Sequence, residues 1–342
     1  MSNEYKSSRK CNIEGYKFLY DSIKESINES INESTNKSTN KTNTKPLMIG
    51  KIGANELLII YQYIGGVMQN QLIDYIDFSP SVKKEGCLTA GIFPPSKEGF
   101  IIFVKAYLEA IKSMNIMASW NDNILGIEEY VWNNYSIKSK LDASINESLN
   151  ETVGLVELTT LESFYTEPQY WWQNLYENKT ILVITPFTQS IQTQLDLSKR
   201  DKVWSGKWSG FWSKNITFKY IKFAHPYYIS SLEDKEKYPK TLELLMQKYQ
   251  NEIYEIGNFD IALIGTGAYS ILLCDYIKRI KKKNAFHLGG GLQMMFGVYG
   301  HRWEPSFNKN PFLQEYMNEY WIRPLPEEIP PMYQAQENGA YF

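Results

Sequence analysis

Short apolar runs alternate with amphipathic stretches along most of the chain, and this alternation predicts an α/β fold. In the clearest example, the apolar run 261–264 ends at Gly265 and Gly267, and residues 269–281 are amphipathic. A second apolar run follows and ends at His287, directly before three glycines. Strands joined by helices of this length pair in parallel through right-handed crossovers. We therefore expect a Rossmann-like, doubly wound and mostly parallel sheet.

The same reading predicts the other elements of this sheet. Further strands are expected at 47–52, 116–119, 180–185 and 216–223. Helices are expected at 55–63, 97–112, 168–176, 187–195 and 235–256.

Two low-complexity segments, 26–45 and 144–152, repeat a Ser-Ile-Asn-Glu-like unit. Such segments bury little apolar area, so we interpret both as surface insertions, the first disordered or weakly helical. The predicted organisation is an N-terminal helix with low-complexity segment, a first α/β half, a second α/β half with nucleotide-binding turns, and a C-terminal tail, at 1–46, 47–150, 151–304 and 305–342. One intertwined domain is the alternative to two halves.

Composition and charge narrow the function classes. The formal net charge is −2 over 342 residues, whereas nucleic-acid-binding domains normally carry a basic excess, so we expect no nucleic-acid partner. The three cysteines, Cys11, Cys87 and Cys274, match neither a disulfide framework nor a zinc spacing. No signal-peptide pattern or membrane-length apolar run is visible. These features predict a cytoplasmic protein without a membrane span, and a homo-oligomer stays open.

Ligands of open α/β sheets bind beyond the carboxyl ends of the strands, so the residues that contact a ligand are expected there. Gly53 ends the first predicted strand, and Glu56 falls in the first turn of the next helix. A carboxylate at this position binds a metal or takes a proton as a base. The alternative is a structural role, since the helix dipole favours an acidic side chain in the first turn.

The glycine turns of the later strands predict a site for a phosphate or sugar, because backbone N–H groups approach a ligand closely where side chains are absent. His287 beside the second turn is expected to contact the phosphate or ribose of a bound nucleotide or nucleotide-sugar and, with Glu56, to be catalytic. A nicotinamide cofactor is disfavoured because the third spaced glycine of the dinucleotide motif is missing. The predicted donor-binding residues are Gly53, Gly265, Thr266, Gly267, Tyr269, Gly289, Gly290, Gly291 and Gln293.

Other strand ends and loops are predicted to form the wall of the pocket or the side where a second substrate, the acceptor, binds. Trp120 with Asn121 is an indole–amide pair typical of sugar-facing surfaces. Hydroxyls near helix starts have capping as their alternative role. The full predicted set is Thr89, Gly91, Pro94, Pro95, Trp120, Asn121, Thr188, Gln189 and Arg302.

Several of these segments together resemble a family encoded in surface-polysaccharide gene clusters, which is similar in turn to GT-D-type glycosyltransferases. The resemblance spans 47–304 without the second insertion. Its carriers are Ile-Gly-Lys-Ile-Gly-Ala-Asn-Glu, Thr-Ala-Gly-Ile-Phe-Pro, Ile-Leu-Val-Ile-Thr-Pro-Phe, Asp-Ile-Ala-Leu-Ile-Gly-Thr-Gly-Ala-Tyr and His-Leu-Gly-Gly-Gly-Leu-Gln-Met-Met-Phe-Gly-Val-Tyr-Gly-His-Arg-Trp.

This resemblance implies sugar transfer from a nucleotide-sugar donor, assisted by Mg²⁺ or Mn²⁺. GT-D enzymes carry an Asp-Xaa-Glu motif after the first strand, to which Ala54-Asn55-Glu56 corresponds. Glu56 is retained as the metal-site candidate, but Ala54 stands where the motif has Asp. We expect a glycosyltransferase of surface glycan or polysaccharide synthesis that binds a nucleotide-sugar and a glycan acceptor. The alternative is a non-catalytic nucleotide- or glycan-binding protein on the same fold.

Overall fold

The structure, a computed structural model, describes residues 9–35, 46–68, 78–120, 122–134, 153–224, 239–304, 311–331 and 333–342. Its strands form one sheet in the order β1-β4-β3-β2-β8-β7-β5-β6, and every pairing between them is parallel. This confirms the predicted Rossmann-like α/β architecture. The strands are β1 (Arg9–Lys10), β2 (Met48–Gly50), β3 (Ile116–Ser119), β4 (Gly154–Glu157), β5 (Thr180–Thr185), β6 (Thr217–Lys222), β7 (Ile261–Ile264) and β8 (Asn284–His287).

Helices connect the strands and cover both faces of the sheet. The α-helices are α1 (Asn12–Thr35), α2 (Ala54–Met68), α3 (Pro80–Leu88), α4 (Lys97–Ile111), α5 (Asp122–Asn134), α6 (Thr188–Leu195), α7 (Arg200–Val203), α8 (Leu242–Glu255), α9 (Tyr269–Tyr276, continued by the π-helical Ile277–Lys281), α10 (Gly291–Met294) and α11 (Pro311–Tyr316). Short 3₁₀ turns lie at Leu158–Leu161, Ser163–Tyr165, Pro168–Tyr170, Trp172–Tyr176, Gly206–Trp208, His301–Trp303, Pro326–Glu328, Tyr333–Ala335 and Glu337–Gly339.

Alternate residues of the central strands pack into two separate hydrophobic cores, one on each face of the sheet. Leu182 and Ile184 of β5 pack into the core that α2, α4, α8 and α9 cover, on what we call the first face. Ile181 and Val183 of the same strand pack into the core under α1, α6 and α10, on the second face. Side chains alternate between the faces of a strand, and a parallel sheet covered on both sides needs apolar residues at every position. The continuous apolar runs of the sequence follow from this burial.

The local sequence explains where several helices begin. The Ser96 hydroxyl accepts a hydrogen bond of 3.0 Å from the Gly99 N–H at the start of α4. The Thr241 hydroxyl accepts one of 3.2 Å from the Leu244 N–H at the start of α8. Both are N-caps, which satisfy backbone donors that the first helical turn leaves without a partner. Ser96 therefore has a structural role.

One predicted helix is wrong, because tertiary packing overrides the local pattern. Residues 168–176 form two 3₁₀ turns separated by Trp171, whose backbone is extended at φ −72° and ψ 95°. This break lets both neighbouring indoles enter the second core. The ring of Trp171 stacks on Trp208 at a centroid distance of 5.2 Å, while Trp172 meets Phe286 edge-on at 5.1 Å.

The predicted chain divisions share one sheet in the structure. Strands β4 and β8, from 151–304, pair with β3 and β2, from 47–150. Of the first low-complexity segment, residues up to 35 continue α1, while 36–45 and the second insertion at 144–152 lie outside the described residues. Among the helices that the structure describes, none is long and apolar enough to cross a bilayer.

Candidate functional site

A cavity of about 170 Å³ lies at the carboxyl edge of the sheet, above β2, β8, β7 and β5. The loops after β2 and β7 lead to α2 and α9 on the first face, whereas those after β5 and β8 lead to α6 and α10 on the second. Where neighbouring strands send their connections to opposite faces, a crevice opens between the loops. The topology therefore places the cavity where the sequence predicted a ligand site.

Eleven of the predicted site residues line this cavity. They are Gly53, Glu56, Thr89, Trp120, Gly265, Gly267, His287, Gly289, Gly290, Gln293 and Arg302. The glycines of both turns, the carboxylate after β2 and the histidine at the end of β8 thus come together, although some 230 residues separate the first from the last. The remaining lining residues are Lys51, Ala54, Asn55, Ala90, Thr185, Pro186, Phe187, Gln336, Glu337 and Tyr341.

Several other predicted residues do not line the cavity, because they hold the surrounding loops in place. The Tyr269 hydroxyl donates a hydrogen bond of 2.8 Å to the carbonyl oxygen of Gly91. The Thr266 N–H donates one of 2.9 Å to the Ser270 hydroxyl. Pro94 packs against the start of α4, where a Cβ at Gly99 would lie 2.3 Å from the Pro94 carbonyl oxygen.

Three further predicted residues have other placements. Pro95 is exposed to solvent. At Gly291, a Cβ would lie 2.6 Å from the Glu162 carboxylate, so this glycine makes room for an acidic side chain rather than for a ligand. Asn121 lies outside the described residues.

The start of α6, where Thr188 and Gln189 were predicted to face a ligand, is already occupied by a protein carboxylate. Glu328 accepts hydrogen bonds from the N–H groups of Gln189 at 2.7 Å and Ser190 at 3.1 Å, and also from the Ser190 hydroxyl. An acidic group here satisfies the free donors of the first turn and the helix dipole. The Gln189 N–H therefore has a protein acceptor where a ligand was predicted, and neither Thr188 nor Gln189 lines the cavity.

Lys51, the residue directly after β2, was not singled out from the sequence. Its Nζ lies 5.3 Å from the centre of the Trp120 ring, and the Trp120 indole N–H donates to the Ile52 carbonyl oxygen at 2.6 Å. Lys51 also approaches the second glycine turn, where a Cβ at Gly289 would lie 3.3 Å from Nζ. The signal was present in the sequence as a lysine inside an otherwise apolar and glycine-rich strand end.

Glu56 is buried, with 6% of its surface exposed. Burial raises the pKa of its carboxyl group from 4.5 to about 7, although a hydrogen bond from its own backbone N–H and the charge of Lys51 oppose the shift. The carboxylate bends back over the start of α2, so that a Cβ at Gly53 would lie 2.2 Å from one of its oxygens. A carboxyl group with a pKa near 7 exchanges protons at neutral pH.

His287 is buried to a similar degree, with 4% exposed. Burial, reinforced by the positive charge of Lys51, lowers the pKa of its imidazole from 6.5 to about 3. The ring is therefore neutral at physiological pH. Nδ1 lies 3.5 Å from the Ile264 carbonyl oxygen, while Nε2 has no hydrogen-bond partner among the described residues.

The C-terminal segment closes one side of the cavity. The Gln293 side-chain amide donates to the Tyr341 carbonyl oxygen at 3.1 Å, and Arg302 donates to the Tyr341 hydroxyl at 2.9 Å. The backbone N–H groups of His301 and Arg302 bond the carbonyl oxygens of Phe342 and Ala340, each at 3.0 Å. The predicted tail thus packs over the body of the protein and contributes walls to its cavity.

The donor set of the cavity does not fit a divalent cation. Ala54 removes one of the two carboxylates of the expected motif, which leaves Glu56 there beside the Lys51 ammonium group. Hard cations such as Mg²⁺ bind clustered oxygen ligands, and a neighbouring ammonium repels them. Within the described ranges, no cluster of three His, Cys, Asp or Glu side chains is arranged to hold a metal ion.

The arrangement offers a proton acceptor, a neutral imidazole, an ammonium group and glycine turns around one partly open cavity. This combination suits a ligand with both hydroxyl and anionic groups.

Comparison with models of known protein families, with curated proteins and with solved structures finds no match for this chain.

Proposed function

We propose that the protein is a glycosyltransferase that uses a nucleotide-sugar donor in the synthesis of a surface glycan or polysaccharide. The observation that carries this proposal is the shared cavity of Glu56, His287 and the two glycine turns at the carboxyl edge of a Rossmann-like sheet. The hydroxyl groups of a sugar can bond to Glu56 and His287, and the diphosphate is an anion that the N–H groups of the glycine turns can bind. The resemblance to GT-D-type enzymes supports the same reaction class.

In the proposed reaction, an acceptor hydroxyl oxygen bonds to the anomeric carbon of the donor sugar. The bond between that carbon and the diphosphate oxygen breaks, and the leaving diphosphate takes the electron pair. Glu56 takes the proton of the acceptor hydroxyl, for which a pKa of about 7 is well matched. Neutral His287 accepts a hydrogen bond from a sugar or ribose hydroxyl through Nε2, because an uncharged ring offers no charge to a phosphate.

The size of the cavity limits how much of the donor it encloses. Pockets for drug-sized ligands have volumes of roughly 300–1,000 Å³, whereas this one has about 170 Å³. We assign the cavity to the reacting sugar and part of the diphosphate. The nucleoside would lie outside it, beside the wall formed by Glu337 and Tyr341.

Transfer and binding are tested separately. Thermal unfolding with a panel of nucleotide-sugars should show a rise of the melting temperature for the correct donor, because a ligand that binds only the folded state stabilises it. Replacing Glu56→Gln should lower turnover about 10²–10⁴-fold, the usual contribution of a general base. Glu98→Gln, at the first turn of α4 and outside the cavity, is the matched control and should keep full activity. Near-normal turnover of Glu56→Gln would remove that residue from the mechanism.

One observation favours a second candidate, a non-catalytic nucleotide- or glycan-binding protein. The Glu56 carboxylate lies back against Gly53, the residue before α2, as a helix-start residue without a catalytic task would. This candidate predicts a thermal shift with a nucleotide-sugar but neither donor hydrolysis nor transfer to any sugar acceptor.

A further inference from the structure

Of the described residues, two with cationic side chains line the cavity, and these two differ in their partners. Arg302 donates to the Tyr341 hydroxyl at 2.9 Å and lies 3.7 Å from a Glu337 oxygen. Lys51 has no hydrogen bond and no carboxylate oxygen within 4.0 Å among the residues that the structure describes. Its ammonium group lies over the face of Trp120, 5.3 Å from the ring centre. A half-buried ammonium without an acceptor is costly, because burial removes water and nothing replaces it.

Three glycines of the two turns border the same space. Gly267, Gly289 and Gly290 line the cavity, and their N–H groups donate no hydrogen bond to any described residue. Gly289 has φ +57° and Gly290 has φ −66°. Successive residues of opposite hand turn their N–H groups toward one side, which forms a concave site for anions. At Gly289 a side chain would meet Lys51, so the absence of a Cβ also admits the ammonium group.

The acidic groups nearby do not neutralise Lys51 directly. Glu162, Glu56 and Glu337 are close enough to oppose the lowering of the Lys51 pKa by burial, yet none forms an ion pair with it in the described part of the chain. An anion with several oxygens, placed between Nζ and the glycine turn, would satisfy the ammonium and the N–H groups together. A phosphate or diphosphate has this charge and shape.

We propose that Lys51 and the N–H groups of Gly267, Gly289 and Gly290 form a phosphate-binding site that needs no divalent metal. The inference rests on the proposed function, in which this site would hold the diphosphate of the donor, and it assigns the charge-compensating role to Lys51. In the transfer reaction, Lys51 would stabilise the negative charge that develops on the leaving diphosphate.

The test measures binding of inorganic pyrophosphate to the full chain by titration calorimetry, once with EDTA and once with Mn²⁺. We expect pyrophosphate to bind with EDTA present, that is, without any divalent cation. Lys51→Met should weaken binding at least about tenfold, in line with the loss of a charged hydrogen bond, while Lys51→Arg should retain most of it. Lys202→Met is the matched control, since Lys202 also lies over an aromatic ring, 5.4 Å from the centre of Tyr320, but outside the cavity.

Pyrophosphate binding that requires Mn²⁺, that is undetectable in the wild type, or that survives in Lys51→Met would overturn the proposal. Should Lys51→Met fail to fold, Lys51→Gln offers a second uncharged variant with the same expected loss. The outcomes also separate the two proposals. Lys51-dependent binding without any sugar transfer would refute the glycosyltransferase alone, whereas transfer with unchanged pyrophosphate binding in Lys51→Met would refute only this site.

Discussion

The indole N–H of Trp120 donates a hydrogen bond of 2.6 Å to the carbonyl oxygen of Ile52. This bond joins the end of β3 to the loop after β2, and it holds the ring of Trp120 against Lys51 at 5.3 Å. Ile52 is itself buried, with 1% exposed. The contact therefore ties the core of the protein to the wall of the cavity.

Trp120→Phe should destabilise the protein while keeping an aromatic face for Lys51. The substitution leaves the Ile52 carbonyl oxygen without this donor, and a buried group left without its partner costs about 1–3 kcal/mol. The free energy of unfolding from urea titration measures the change. Equal stability of the variant and the wild type would show that water or a shifted side chain replaces the indole.

Glu56→Gln should change how stability depends on pH. The folded state holds the carboxyl proton more tightly than the unfolded state, since burial raises the pKa from 4.5 to about 7. The wild type is therefore progressively destabilised as pH rises from 4.5 to 7, by roughly 3 kcal/mol in total at 1.4 kcal/mol per pKa unit. The variant does not lose stability in this way, because the glutamine side chain does not ionise.

Urea unfolding at pH 5 and pH 8 checks this prediction. The stability difference between Glu56→Gln and the wild type should increase from the lower to the higher pH. Glu98→Gln, whose carboxylate is exposed, should show no such increase. A constant difference across the two pH values would mean that Glu56 ionises as a solvated carboxylate does.

His287→Asn should flatten the acid side of the stability profile. The pKa of His287 falls from 6.5 to about 3 on folding, so the unfolded state binds the additional proton between these values. The contribution of neutral His287 to the stability of the wild type is thus fully present above pH 6.5, and it is lost as the pH falls toward 3. Asparagine cannot take up that proton, yet it offers an amide donor toward the Ile264 carbonyl oxygen.

Urea unfolding at pH 4.5 and 7.5 measures the free energy of unfolding of both proteins. The variant should lose less stability than the wild type between pH 7.5 and pH 4.5. His301→Asn serves as the control, because His301 is exposed and lies outside the cavity. A wild-type imidazole that becomes charged near pH 6.5 in the folded protein, seen by nuclear magnetic resonance, would contradict the prediction.

Glu328→Ala should destabilise the packing of the C-terminal segment on α6. The substitution removes the carboxylate that accepts from the buried Ser190 N–H and from the partly buried Gln189 N–H. We expect a loss of about 2–3 kcal/mol in the free energy of unfolding. Glu327→Ala changes an exposed neighbouring carboxylate and should stay within about 0.5 kcal/mol of the wild type. Similar effects of both changes would remove the special role of Glu328.

The strand–turn–helix units were predictable because strands buried on both faces need uninterrupted apolar runs. The predicted bounds of β3 and β5 agree with the structure, and β7 and β8 end where the glycine turns were expected. Strand β4 was not predicted, since its four residues adjoin a low-complexity segment that obscures the pattern. The failed helix at 168–176 shows the other limit, because the burial of two indoles decided its backbone.

By itself, the sequence determined the fold class and the edge of the sheet at which polar groups gather, since both follow from local periodicity and from the parallel direction of the strands. Only the tertiary structure decided which charges have partners. Glu328 reaches α6 across 138 residues, and Lys51 meets the turn at Gly289 across an even longer stretch of the chain. Burial, and with it the pKa values of Glu56 and His287, depends on how distant segments exclude water, and no local pattern encodes that.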